Sequence, residues 1–212
     1  MVKILFFGDS ITAGGKSKGN PLGDGFVAML AKLFQKQAHQ KKVRVINSGV
    51  NGHTIQDLLA RYKTDVVPHT PDVIVIKIGI NDAYHDFMSD NQAVPLQEYE
   101  ADYGKLILAL RKYLPKSRIQ LLTPYYISDT KTAALYLRMS QYIGVVRKLS
   151  SEYKLPVLDT QAIFDTAIKN APATAWAADQ IHPVKTGHAL LAQHMYDFLL
   201  MNNYLRSGSP DL

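Results

Sequence analysis

The chain has 212 residues, is 47% hydrophobic, contains no cysteine and carries a formal net charge of +6. That length and apolar content support one domain with a substantial core, while the lack of cysteine excludes disulfides, thiolate metal sites and a cysteine nucleophile. The basic residues are scattered apart from short knots at 36–42 and 112–118, without the aromatic interleaving of a nucleic-acid face, so no nucleic-acid partner is expected.

The first predicted element is a strand at 2–7. Its six apolar-rich residues are too few for a signal-peptide apolar region, and no later run approaches membrane-spanning length. A cytoplasmic protein with no membrane span is therefore expected. Gly8-Asp9-Ser10 follows as a turn, and Ser10 is expected at a helix start, where backbone N–H groups lack intrahelical partners. Phe26, Met29, Leu30, Leu33 and Phe34 then recur at helical spacing. A second strand is predicted at 43–47, and a helix beginning after Thr54 presents Ile55, Leu58, Leu59 and Tyr62, with Asp57 placed as in a capping box. A third strand is predicted at 73–78. The next helix carries Leu96, Tyr99, Tyr103, Leu106, Leu110 and Tyr113 on one face. A fourth strand at 119–123 precedes a helix with Leu135, Met139, Tyr142, Ile143, Val146 and Leu149 inward. After a fifth strand at 156–159, a long segment at 160–183 leads to a last helix over 185–201, whose first position suits Pro183. Residues 1–206 form the expected single domain and 207–212 a fraying tail.

Several of the strand runs are apolar at successive positions, as suits strands covered on both faces. Strand and helix alternate throughout. The fold class is therefore α/β: a three-layer α/β/α sandwich with a five-stranded parallel sheet, flavodoxin-like in type. Ligands in such sheets bind at the carboxyl ends of strands. Four of the five segments leaving those ends carry polar groups suited to acyl transfer: Ser10 after the first strand, the 47–54 loop with Gly49 and Gly52 after the second, Asn81 and Asp82 after the third, and Asp179 and His182 after the fifth. A serine hydroxyl needs a base, and a histidine held in one tautomer by a carboxylate is the common solution. The three-residue spacing of Asp179 and His182 allows that contact within one turn.

Taken in order, Gly8-Asp9-Ser10, Asn51-Gly52-His53-Thr54, Gly79-Ile80-Asn81-Asp82 and Asp179-Gln180-Ile181-His182 resemble the four signature blocks of the SGNH (GDSL-type) serine esterases and lipases. The resemblance spans nearly the whole chain. It implies a carboxylesterase without a cofactor, with small esters, acetylated sugars, lipids or acyl thioesters as possible small-molecule substrates; short-chain acyl or acetyl esters are expected among these because no connection is long enough to hold a separate lid domain. It also implies Ser10 as nucleophile, His182 as base and Asp179 as its partner, with Gly52 and Asn81 joining the Ser10 N–H as oxyanion donors. Gly49 competes with Gly52, which is preferred because it leads into His-Thr and the next helix. Tyr84, Phe87, Tyr125 and Trp176, with Met88 and Tyr126, are candidates to line an acyl pocket, and His53 and His85 lie near the site by topology. Asp9 and Asp82 are expected to tie loops together through backbone hydrogen bonds.

Two other readings use the same residues. A flavodoxin-like module would cradle a phosphate or cofactor with the 8–15 loop, leaving Asn81, Asp179 and His182 without a role. A metal-dependent phosphoesterase would draw on Asp9, Asp82, Asp179 and His182, although no His-x-His or Asp-x-His pair starts a two-metal site. No metal is expected. Oligomeric state and natural ester stay open at this level.

Overall fold

The computed structural model describes residues 1–36, 42–84 and 93–203. Five parallel strands, β1 (Val2–Gly8), β2 (Val43–Gly49), β3 (Val73–Lys77), β4 (Arg118–Leu122) and β5 (Val157–Leu158), form one sheet in the order β2-β1-β3-β4-β5. Buried apolar residues occupy successive positions of β1 and β3, among them Ile4, Leu5, Phe6, Phe7, Val73, Ile74, Val75 and Ile76. Both sheet faces are thus covered, as the uninterrupted apolar runs require.

The helices are α1 (Ser10–Ala13), α2 (Phe26–Lys36), α3 (Ile55–Asp65), α4 (Ile80–Tyr84), α5 (Leu96–Tyr113), α6 (Ala134–Glu152), α7 (Thr160–Ala167) and α8 (Lys185–Met201). The Thr54 start of α3 is built as the sequence suggests, with the Asp57 carboxylate accepting the Thr54 N–H at 2.8 Å. The Tyr99, Tyr103 and Tyr142 side chains are fully buried, and Tyr99 packs edge-on against Tyr103 at 5.6 Å between centroids. Tyr113, expected in the core, stands 44% exposed at the end of α5.

Three local expectations are corrected. The 160–183 segment is not all irregular, because Asp159 caps α7 by accepting the Ala162 N–H at 3.0 Å. Asn81 and Asp82, expected in a loop after the third strand, lie in the short helix α4. Pro183 precedes the cap of the last helix instead of opening it, since Val184 is extended and α8 begins at Lys185. His85, Phe87, Met88 and the 207–212 tail lie outside the described residues.

The topology places the site. The chain steps from β1 outward to β2 on one side and then returns to β3 on the other, so the connections leaving β1 and β3 diverge at their carboxyl ends. A crevice at such a reversal is the usual ligand position in open parallel sheets. Ser10 and Asn81 leave these two strands.

Candidate active site

Asp9, wholly buried, ends β1 and caps α1, its Oδ1 accepting the Ile11 N–H at 3.0 Å. Ser10 is therefore the first helical residue, so its N–H has no intrahelical acceptor. The other Asp9 oxygen meets the Lys77 ammonium at 3.2 Å, and Lys77 too is buried. Burial lowers the Lys77 pKa, against the opposing pull of Asp9. The same ammonium lies 4.9 Å from the centre of the Tyr125 ring. A desolvated ion pair of this kind contributes little net stability, yet losing either partner strands a buried charge.

Above this layer the Ser10 hydroxyl is 2.9 Å from His182 Nε2, and His182 Nδ1 is 2.7 Å from Asp179 Oδ2. Asp179 Oδ1 accepts the His182 N–H at 2.7 Å and the Ile181 N–H at 3.0 Å. The Asp179 and His182 side chains are each 54% exposed. Partial burial opposes charge on Asp179, but the bonds from the His182 imidazole and the two backbone groups prevail and hold its carboxyl below the usual range. With a carboxylate on Nδ1, the neutral imidazole carries its proton there and turns a lone pair toward Ser10. Between the two residues, Gln180 adopts a left-handed backbone (φ +66°). It is held there by the Ile127 N–H, which donates to its carbonyl at 2.9 Å, and by the Tyr126 hydroxyl, which donates to its side-chain oxygen.

The side-chain amide of Asn81 donates to the His53 carbonyl at 2.8 Å, which leaves its second N–H free of that bond. Next to it, the buried Asp82 carboxylate accepts the Ile55 N–H at 2.8 Å. Burial pushes the Asp82 carboxyl up to about 7. The two glycines of the 47–54 loop differ. A Cβ on Gly49 would fall 2.2 Å from the Ala13 nitrogen, and the Gly49 N–H is already taken by Asn47 Oδ1 at 2.9 Å. Gly52 has φ +77°, is exposed, and has no atom within 4 Å of where a Cβ would stand. Gly49 is a packing glycine, whereas Gly52 has an unobstructed backbone.

Arg61, which sequence reasoning missed, closes the base of this edge. Its guanidinium donates to the Gly8 and Ser48 carbonyls, both at 3.0 Å, pairs with Asp65 at 2.7 Å and lies 4.4 Å from the centre of the Phe7 ring. Lys77 was missed as well. His53 is half-buried, and burial followed by the Arg61 charge lowers its pKa.

The pocket candidates separate. Tyr84 is half-buried at the end of α4, and burial, followed by the nearby Tyr84 and Asp179, raises the Tyr126 pKa. Tyr125 does not line an open pocket: it is 0% exposed, packed on Phe164 at 4.6 Å between centroids. Trp176 is also corrected, because it lines a cavity of about 420 Å³ between α7 and α8 with Ile163, Thr166, Leu190 and His194, where neither Ser10 nor His182 is found.

The residues of the two rival readings are otherwise engaged. Asp9 is tied to Lys77, Asp82 to the Ile55 N–H and Asp179 to His182, so the four candidate ligands do not converge. Among the described residues no three His, Asp or Glu side chains are grouped to hold a metal ion. The 8–15 stretch proposed as a phosphate cradle is tied at its end to residue 24, the Asp24 N–H donating to the Gly14 carbonyl at 2.7 Å.

A model of the GDSL-like Lipase/Acylhydrolase family matches residues 6–190. An acetylxylan esterase of Geobacillus stearothermophilus is 36% identical over 201 residues, covering 90% of each chain. Its crystal structure superposes with a TM-score of 0.87 at 35% identity, covering 98% of this chain and 97% of that one. That esterase has also been solved as catalytic mutants in which a serine, an aspartate and a histidine are each replaced by alanine, the last two lying three positions apart, as Asp179 and His182 do here. An isoamyl acetate-hydrolyzing esterase 1 homolog of Rattus norvegicus is 23% identical over 218 residues, covering 93% of this chain and 81% of its own. Among the described residues no helix is long and apolar enough to cross a membrane.

Proposed function

The chain belongs to the GDSL-like Lipase/Acylhydrolase family and is a serine ester hydrolase, and from that premise we propose that Ser10, His182 and Asp179 carry the reaction, with the Ser10 and Gly52 backbone N–H groups and the Asn81 amide holding the oxyanion. The observation that carries this reading is the continuous relay from the Ser10 hydroxyl to His182 Nε2 at 2.9 Å and from His182 Nδ1 to Asp179 at 2.7 Å. It stands where β1 and β3 open the crevice.

In the forward step the Ser10 oxygen bonds to the ester carbonyl carbon while its proton passes to His182 Nε2. Negative charge moves onto the carbonyl oxygen, and preorganised donors stabilise it more than they stabilise the bound ester. The alcohol leaves with the proton from His182. Water then attacks the acyl-enzyme, gives its proton to His182, and the acid is released as Ser10 regains its hydrogen. The half-exposed Asp179–His182 pair leaves the leaving-group side open to water and to a bulky alcohol.

We assign acetyl esters of sugars as the substrate class. The support is the likeness to an acetylxylan esterase over 90% of both chains. Acetate release from acetylated xylo-oligosaccharides, compared with p-nitrophenyl esters of increasing acyl length, tests this. The acetylated sugar and the acetyl ester should give the highest kcat/KM, and Ser10→Ala should abolish turnover of all of them while leaving the fold intact. Rates rising steadily with acyl length would overturn the acetyl assignment, and an active Ser10→Ala protein would overturn the nucleophile.

A further inference from the structure

The three proposed oxyanion donors come from three segments distant in sequence, yet the hole requires them to converge to within a fraction of an ångström. Asn81 sits in α4, a helix of only five residues, too short to be stable by itself. Something outside α4 must fix its orientation. Two bonds run between α4 and the loop carrying Gly52: the Asn81 amide donates to the His53 carbonyl, and the Ile55 N–H donates to the Asp82 carboxylate, both at 2.8 Å. They cross in opposite directions on either side of the extended residue Thr54 (ψ 179°). The Ile55 N–H belongs to the first turn of α3, where no intrahelical acceptor exists, and Asp57 is engaged with Thr54. Asp82 is therefore the acceptor that pins this stretch of backbone to α4, from a fully buried position.

We propose that Asp82 is a positioning residue for ester hydrolysis: by holding the Ile55 N–H it fixes the His53 carbonyl, which in turn anchors one N–H of the Asn81 amide and keeps the other directed at the oxyanion. This rests on the reading of Asn81 as an oxyanion donor. The physical requirement on residue 82 is an acceptor oxygen of the right reach, not a charge. When the acceptor is removed, the Ile55 N–H is left buried and unpaired, and the 53–55 backbone moves to find another partner. The Asn81 amide follows its anchor. Because Asp82 makes its contribution only through Asn81, the two residues act as a unit and their effects do not add.

The test is a double-mutant cycle on kcat and KM with p-nitrophenyl acetate, folding being checked by circular dichroism and urea unfolding. Asn81→Ala should lower kcat by about 10²–10³. Asp82→Ala should lower kcat by about 10–100-fold with KM changed less than about 3-fold, and adding it to Asn81→Ala should cost less than about 3-fold more. Asp82→Asn keeps an acceptor oxygen and should recover most of the loss seen with Ala. Should Asp82→Ala not fold, Asp82→Leu, which keeps the branched heavy-atom shape and removes the acceptor, takes its place with the same expectations. If Asp82→Ala slows the Asn81→Ala enzyme as much as it slows the wild type, or raises KM alone, the proposal is overturned while the oxyanion reading stands. If Asn81→Ala retains wild-type kcat, the oxyanion reading is overturned and the proposal with it.

Discussion

Asp82 also makes a quantitative prediction about stability. Burial raises its carboxyl from 3.8 to about 7, and the neighbouring Asp9 and Asp57 charges push the same way, against two backbone hydrogen bonds. Between those two values the folded protein holds a proton that the unfolded chain has released. Unfolding free energy therefore falls as pH rises across this window. The stabilisation is fully present below 3.8 and is lost as pH passes through about 7. Three units correspond to a ceiling of about 4 kcal/mol. Asp82→Asn removes the titration. Its amide also places an N–H where Asp82 Oδ2 meets no partner among the described residues, a fixed cost of about 1–3 kcal/mol. That cost shifts the stability difference without tilting it. His188 supplies the opposite slope: burial, then the His182 and Lys77 charges, lower it to about 4, and its Nδ1 accepts the Phe26 N–H at 3.2 Å. Stability linked to His188 is present above 6.5 and lost as pH falls toward about 4, but it is common to both proteins and cancels in the difference. Urea unfolding of the two proteins at about pH 4, 6 and 8 should show the variant gaining about 2–4 kcal/mol relative to wild type across the series. A difference constant to within about 1 kcal/mol would mean that Asp82 titrates near its ordinary value and that the reasoning from burial is wrong.

Three further substitutions separate the roles of Asp179, Gly52 and Gly49. Asp179→Asn should lower kcat by about 10²–10⁴ through a misplaced His182 tautomer while leaving unfolding nearly unchanged, since both side chains are 54% exposed; full activity would mean that another group orients His182. Gly52→Ala should fold, at a cost of about 1–2 kcal/mol for a left-handed alanine, and lower kcat by about 10-fold or more as the N–H is displaced. Gly49→Ala, with a Cβ aimed at the Ala13 nitrogen 2.2 Å away, should instead lose about 3 kcal/mol or more of stability. Urea unfolding beside kcat measurements reads both, and a Gly52→Ala enzyme with wild-type kcat would remove Gly52 from the oxyanion hole.

The sheet was legible because strands covered on both faces are apolar at successive positions, so 73–76 stands out with no alternation to confuse it. The last helix was legible to its termini at Lys185 and Met201. In α7 only Phe164 and Ala167 bury apolar side chains, and the other buried residues, Thr160 and Gln161, are polar, so no hydrophobic period marks the helix. The groups proposed to react were readable because each belongs to a short motif in a segment that follows the carboxyl end of a strand, Ser10 and Asn81 lying at the starts of the short helices α1 and α4. Their supports were not. Lys77 ends an apolar strand, where a lysine ordinarily marks the return to solvent, and its partner Asp9 lies 68 residues earlier. Arg61 and Asp65 have the spacing of an ordinary surface pair on a helix; only the folded chain brings the guanidinium to the Gly8 and Ser48 carbonyls. Trp176 and Tyr125 show the converse. Closeness in sequence to the motifs suggested a pocket, and packing against α7 and the core took both rings elsewhere.

The site is assembled in two ways, and the difference follows from what each half must do. The acid-base half is local: Asp179 and His182 are three residues apart, and their contact is made within one turn whose strained residue, Gln180, is tied down by Tyr126 and Ile127. Such a unit tolerates exposure, because its geometry is set by the chain itself and its carboxylate keeps three hydrogen bonds. Exposure also admits the water that deacylates Ser10 in the proposed mechanism. The oxyanion half has no local solution, since its proposed donors follow β1, β2 and β3. It is fixed by buried contacts between those segments: Asp9 with Lys77 beneath Ser10, Arg61 on the carbonyls ending β1 and β2, and Asp82 with Ile55 beside Asn81. Burying charged groups is costly where an apolar core would be cheaper. The cost falls where long-range bonds of fixed direction are needed, because apolar contacts set distance but not orientation. Donors aimed before the substrate arrives need no reorganisation when the oxyanion forms, and that is what these buried carboxylates and cations supply.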